Sequence, residues 1–221
     1  MIRYYPHVQI TLAEVSGKTV ILIHGLTGCM FHCYKCINYD EIILKKHPDA
    51  LSIDEVITII QQHENIIEMI VFSGGEFLQA PIEHLILDLK KVRNVSTKPI
   101  VIYTTGYYGE KMRMLWEKGV VDGYHVDLKL PYHLLTIQDE DIVTQTLGRS
   151  LSQIEIDQMI ETIEWVVKTD KGFNQIRSVK YPFLHPSAFL ECQVWIDLLN
   201  KKYHKDTPYE IHRFVNLNEL S

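Results

Sequence analysis

"KTVILIHGLTGCMFHCYKCIN", residues 18–38, joins an apolar run to a loop that holds three of the chain's four cysteines. The run "KTVILIHG" (18–25) lacks the polar alternation of a half-exposed strand and reads as a buried strand. It leads straight into Cys29, Cys33 and Cys36, spaced C-x-x-x-C-x-x-C, whereas Cys192 lies far downstream.

Outward from this stretch, apolar strand-like runs alternate with amphipathic helical ones. Ser52 and Glu55 form a capping box ahead of the helical spacing of "SIDEVITIIQQH". Then follow a strand at 67–75, a helix at 82–92, a strand at 98–106, a helix near 110–119 and a strand at 121–130. A long helix from about Ser152 to Lys168, a strand near 174–182, a helix across 187–203 and a last strand at 209–215 complete the pattern. The acidic run "DEDIVT" (139–144) reads as an exposed loop. Strand followed by helix, about six times, predicts an α/β fold: parallel strands with right-handed crossovers and helices outside. About six units do not complete an eight-fold barrel, so the expectation is a partial (β/α)6-type open barrel. It forms one domain over residues 1–221, with ligands at the carboxyl ends of the strands. The cysteine loop, "SGGE" (73–76), "YTTG" (103–106) and "DLK" (127–129) all fall at predicted strand ends.

Composition narrows the classes. At 221 residues, 46% hydrophobic and 23% charged, the chain has the make-up of an ordinary soluble globule. A net charge of −6 argues against broad basic recognition of nucleic acid. No apolar run reaches the eighteen or so residues of a membrane span, and the first residues lack a signal peptide's layout. The expectation is a cytoplasmic protein whose clustered cysteines serve metal binding or redox chemistry rather than disulfides.

Thiolates are soft ligands for zinc and iron–sulfur clusters. A structural zinc wants a closed tetrahedron, commonly from two cysteine knuckles, and this chain has one group of three. His24 or His32 could complete such a site. A cubane held by three cysteines would instead keep one iron open, which suits a catalyst. Disulfide pairing would leave an odd thiol and gain little in a reducing compartment.

The cysteine loop, followed about forty residues later by Gly74-Gly75-Glu76, resembles the radical S-adenosylmethionine (SAM) enzymes. The resemblance implies a 4Fe-4S cluster on Cys29, Cys33 and Cys36, with SAM on the fourth iron. It also implies reductive cleavage to a 5′-deoxyadenosyl radical, and a cradle for the SAM amino group at Gly74, Gly75 and Glu76. On physical grounds the two glycines permit close backbone approach, and Glu76 offers a carboxylate to an ammonium. A tight turn with a capping acid is the plain alternative. Phe77 stands where the family commonly has proline.

Further residues resemble the activators of glycyl-radical enzymes. Asn38 matches their C-x-N ending, and Asp127 with Lys129 their D-x-K strand, positions that lie beside SAM in that group. Alternation would put Asp127 and Lys129 on one side of a strand, and an ion pair at a strand end is the plain alternative. Thr104, Thr105 and Gly106 fall where the group carries a turn lining the SAM pocket, and Lys35, just before the third cysteine, replaces the usual aromatic residue. With no second cysteine group, the chain most resembles the activating proteins of anaerobic ribonucleoside-triphosphate reductases. The implied function is hydrogen abstraction from a glycine of that reductase's large subunit, with a flavodoxin or ferredoxin as electron donor. The alternatives are a small-molecule radical SAM enzyme such as 7-carboxy-7-deazaguanine synthase, or a non-catalytic zinc or iron–sulfur module. Cys192, in an apolar helical stretch, reads as a buried inert thiol, and Arg177 as a SAM-anion contact or a surface ion pair.

Overall fold

Val20–Gly25 aligns residue for residue with Met69–Gly74 in a parallel ladder, so that Gly25 lies opposite Gly74. Every residue of Met69–Gly74 is buried, the condition under which a continuous apolar run is stable as a strand. These strands belong to the first of two compact units in the computed structural model, which describes residues 1–215.

The first unit comprises Met1–Met30, Asn38–Thr104 and Glu110–Gly123. Its elements are β1 (Gln9–Thr11), β2 (Val20–Gly25), α1 (Ile53–His63), β3 (Met69–Gly74), α2 (Ile82–Arg93), β4 (Ile100–Thr104) and most of α3 (Gly109–Glu117). Strand order follows the chain, β1-β2-β3-β4, with β1 antiparallel to β2 and the other pairings parallel. Sequence periodicity missed β1, because three residues, two of them exposed, are too few to declare a period. The capping box forms as expected: Ser52 Oγ accepts from Glu55 N at 3.3 Å, and Glu55 Oε2 accepts from Ser52 N at 2.7 Å. On α2 the buried face includes Asp88, whose carboxylate accepts from the Tyr4 hydroxyl at 2.9 Å. A π-helical turn, Tyr39–Leu44, starts directly after Asn38.

The second unit comprises Phe31–Ile37, Thr105–Gly109 and the chain from Tyr124 onward. It holds β5 (Gly123–Asp127), α4 (Glu140–Leu147), α5 (Gln153–Thr169), β6 (Gln175–Lys180), α6 (Ser187–Tyr203) and β7 (Tyr209–Arg213). β5, β6 and β7 are parallel and again in chain order. The exposed loop expected at 139–144 is instead the start of α4. Its acidic residues lie in the first turn, where the helix dipole favours them, and Val143 and Leu147 are buried. A charged surface with an apolar stripe is a helix pattern, and the charge alone misled. α5 begins at Ser152's capping box and α6 ends in exposed Lys201 and Lys202, both near the expected boundaries. Asn174 ties this unit together: its Oδ1 accepts from Tyr124 N at 2.8 Å and its Nδ2 donates to Val166 O at 2.6 Å.

Candidate functional site

In the first unit, Gly74-Gly75-Glu76 leaves β3 against the end of β2 and the start of the cysteine loop. A Cβ on Gly74, whose φ is 136°, would stand 2.4 Å from Gly25 O, and one on Gly75 would stand 2.3 Å from Gly28 O. Glycine is required here by neighbouring backbone, a more local reason than the approach of a ligand. Glu76 N donates to Gly28 O at 2.8 Å, Thr27 Oγ1 donates to Glu76 O at 2.8 Å, and Asn38 Nδ2 donates to Gly74 O at 2.7 Å. Residues on both sides of the thiols in sequence, Thr27 with Gly28 and Asn38, are thus fastened to this turn.

Glu76 is 1% exposed. Its Oε1 accepts from Thr104 Oγ1 at 2.9 Å and from Leu78 N at 3.2 Å, so the carboxylate caps the short turn that follows. Lys111 lies close enough for Glu76 to oppose the loss of its charge by burial, and its Nζ donates to Leu78 O and Ala80 O, both at 2.8 Å. Thr104 is therefore brought to Glu76. His24 is half-buried on β2, burial lowers its pKa, and its Nδ1 has no partner among the described residues.

In the second unit, Cys33 and Cys36 lie in a tight turn with Cys36 N donating to Cys33 O at 3.1 Å. Lys35, between them, adopts a left-handed conformation (φ 44°) and is exposed, with Nζ 5.8 Å from the Tyr34 ring centre. Tyr34 packs against Phe183, Phe214 and Tyr181. None of the four cysteines is in a disulfide, and Cys192 is 2% exposed, with burial pushing its pKa up to about 12.

β5 ends at Asp127, and Lys129 lies just beyond it. The expected pair forms even though the two do not share a strand, with Lys129 Nζ 3.3 Å from Asp127 Oδ2. Arg177, Asp127's partner in β-sheet register, adds Nη2 at 3.0 Å from Oδ1. Arg177's side chain is only 13% exposed, so this is an inward charge cluster and not a surface pair. Burial opposes the Asp127 carboxylate, but Lys129 and Arg177 outweigh it and draw its pKa down to about 2. Burial likewise opposes the Lys129 ammonium, and Asp127, Tyr181, Cys33 and Tyr132 reverse the balance, holding it well above the ordinary lysine value. The Cys33 thiol is pushed up by burial and drawn back by Lys129. Thr105 Oγ1 accepts from Tyr107 N at 3.4 Å, and Gly106 has φ 82°. His212 and Arg213 are exposed on β7, His212 facing Glu210 at 3.4 Å.

Sequence reasoning missed Tyr132, Tyr181 and Thr27. Tyr132 is 1% exposed, and its hydroxyl has no partner among the described residues. No motif marks it; only the fold sets it near Lys129 and Cys33.

Three soft thiols within eight positions, none of them in a disulfide, and an orphaned buried hydroxyl with a buried ammonium close to one of them, fit an iron–sulfur cluster. Among the described residues no three His, Cys, Asp or Glu side chains converge as ligands of a single ion. Fold and donor set together define an α/β protein with a thiolate-rich loop after its first parallel strand.

The family model described as the Radical SAM superfamily matches residues 23–176, well over half of the chain. This chain belongs to the radical SAM superfamily, whose members use a 4Fe-4S cluster and SAM. Solved structures with the same fold include methylornithine synthase (PylB), with TM-score 0.57 and 12% identity over 86% of this chain and 51% of that one. They also include anSMEcpe with bound AdoMet, with TM-score 0.52 and 15% identity over 84% and 49%. A third is coproporphyrinogen III oxidase (HemN) from Escherichia coli, a radical SAM enzyme, with TM-score 0.50 and 10% identity over 76% and 38%. The chain spans about half the length of the first two and less of the third. No curated protein sequence matches it. The expected α/β class with the partial barrel of radical SAM enzymes is thereby established, and family membership stands against a non-catalytic module. No helix among the described residues is long and apolar enough to cross a membrane.

Proposed function

We propose that residues 1–221 form one radical SAM domain that acts in the cytoplasm as a glycyl-radical activase. Its partner would be the large subunit of an anaerobic ribonucleoside-triphosphate reductase, and a flavodoxin or ferredoxin its electron donor. The observation that carries this reading is Asn38. The residue that likens the loop to the activator group donates its side-chain amide to Gly74 O at 2.7 Å, fastening the end of the cysteine loop to the SAM-binding turn.

Cys29, Cys33 and Cys36 would hold the cluster, leaving one iron for SAM. When bound and reduced, the cluster supplies reductive cleavage of SAM and with it a carbon radical able to take a hydrogen atom. The chain's own residues bind and orient. Gly74-Gly75-Glu76 receives the SAM amino group on a turn that Glu76 itself fixes through Leu78 N and Thr104. Lys129 and Arg177, both held by Asp127, would be the cations that meet an anionic group of SAM. Asp127 keeps both cations in place. By the resemblance, Thr104, Thr105 and Lys35 would be further contacts to SAM.

The test is anaerobic. Reconstituted protein, SAM, a reductant and the reductase should give a glycyl signal in electron paramagnetic resonance. A fully loaded cluster that cleaves SAM yet gives no such signal would sink the activase reading. Turnover of carboxytetrahydropterin without any protein partner would replace it with the deazaguanine synthase reading.

A further inference from the structure

The loop that carries Cys33 and Cys36 is held by a part of the chain to which the cofactor chemistry assigns no role. α4 ends at Leu147, and its last carbonyls have no donor within the helix. Two loop amides supply one: His32 N donates to Leu147 O at 2.9 Å, and Tyr34 N donates to Thr146 O at 3.1 Å. Cys33 is thereby pinned by the residue on either side of it. Gly148 allows the contact. Its φ is 74°, and a Cβ there would stand 2.2 Å from His32 O.

The next residue locks this arrangement. The Arg149 guanidinium lies 5.7 Å from the ring centres of both Phe31 and Tyr107, and pairs with Glu155 Oε1. Phe31, at the start of the loop, is buried and meets Tyr107 edge to face at 5.5 Å. Tyr107's hydroxyl donates to the same Glu155 oxygen at 2.8 Å. Glu155's other oxygen accepts from Ser152 N and Ser152 Oγ, each at 2.8 Å, closing the capping box of α5. One carboxylate therefore ties the start of α5 to the cation and ring that hold Phe31.

We propose that Arg149, Glu155 and Tyr107, with the helix end at Thr146–Gly148, are positioning residues that hold the cysteine loop in its ligand-presenting shape before any cluster binds. They act through the ring of Phe31 and the backbone of His32 and Tyr34. The purpose of the thiols rests on the reading above, whereas the loop's preorganisation does not.

The experiment is done on metal-free full-length protein, without SAM or reductase, so its outcome is independent of the activase assay. Alkylation of each cysteine by iodoacetamide is timed by mass spectrometry. In Arg149→Gln, loss of a charge-assisted hydrogen bond should speed Cys33 labelling roughly tenfold. Cys192, buried in α6, should keep its slow rate and so report that the fold is intact. Arg149→Lys, which keeps the charge without the planar fork, should restore much of the protection. Tyr107→Phe, which removes a single hydroxyl, should give a smaller rise confined to the loop. Cys33 labelling at the wild-type rate in Arg149→Gln would overturn the proposal. So would Arg149→Lys behaving no better than Arg149→Gln. If Cys192 also becomes reactive in Arg149→Gln, Tyr107→Phe decides: a rise at Cys33 alone supports the proposal, and no rise overturns it.

Discussion

Glu76 illustrates how one side chain can build the turn of a ligand site as well as face the ligand. Its carboxylate caps the turn after β3 and takes the Thr104 hydroxyl, so the alternative of a capping acid describes what the side chain does, and any contact with SAM would be added to that work. The glycines before it are equally committed. Gly75→Ala would place a methyl 2.3 Å from Gly28 O, backbone against backbone, and should cost about 1–3 kcal/mol in urea unfolding, as overpacking does. Alanine at Cys29, Cys33 or Cys36 should abolish SAM cleavage in a reconstituted assay. Cys192→Ala should leave cleavage intact, and an effect there would reopen its role. The charge cluster has a pH signature. Asp127 has a folded pKa of about 2, below that of an unfolded aspartate, so its stabilisation is complete above about pH 4 and lost as pH falls towards 2. Asp127→Asn should therefore be less stable than wild type at neutral pH, the gap narrowing below about pH 4. A gap that stays constant down to pH 2 would refute the pairing as its source.

At the scale of elements, charge pattern and apolar pattern gave conflicting signals at α4, and burial settled the matter. The run "DEDIVT" has acids where a helix start tolerates them, and the apolar residues that identify the helix, Val143 and Leu147, are too few to show a period. Its C-terminal end matters more than its length, because the cysteine loop bonds to it. Gly148→Ala combines a left-handed backbone with a contact at 2.2 Å, and should destabilise the protein by about 1–3 kcal/mol. The same variant should lower iron retained after reconstitution, measured by metal analysis. Ordinary capping, by contrast, was legible at Ser52, which caps α1 as its spacing from Glu55 predicts; the structure adds a second capping box, Ser152 with Glu155, at the start of α5. Ser52→Ala should cost about 1 kcal/mol without touching iron content, which separates helix stability from loop geometry.

For the whole molecule, the family model runs from residue 23 to residue 176 and takes in residues of both compact units. Anaerobically prepared protein should be brown and carry iron and acid-labile sulfide at about four each per chain. One zinc in colourless protein would contradict the cofactor assignment. The finer function was less legible than the class. Three thiols and a Gly-Gly-Glu turn are close in sequence to the elements they follow, whereas a partner enzyme is recognised by surface, which no short-range pattern spells out.

Sequence alone determined the alternation of strands and helices, the thiol spacing and the glycine turn, because each is a short-range pattern that a strand or helix period exposes. Tertiary structure decided which groups those residues meet: Asn38 on Gly74, Thr104 on Glu76, Arg177 on Asp127, and residues 32 and 34 on the end of α4. Such contacts join positions far apart along the chain. No local period encodes them, and they arise only when the sheet's registers and the helix ends are fixed by burial.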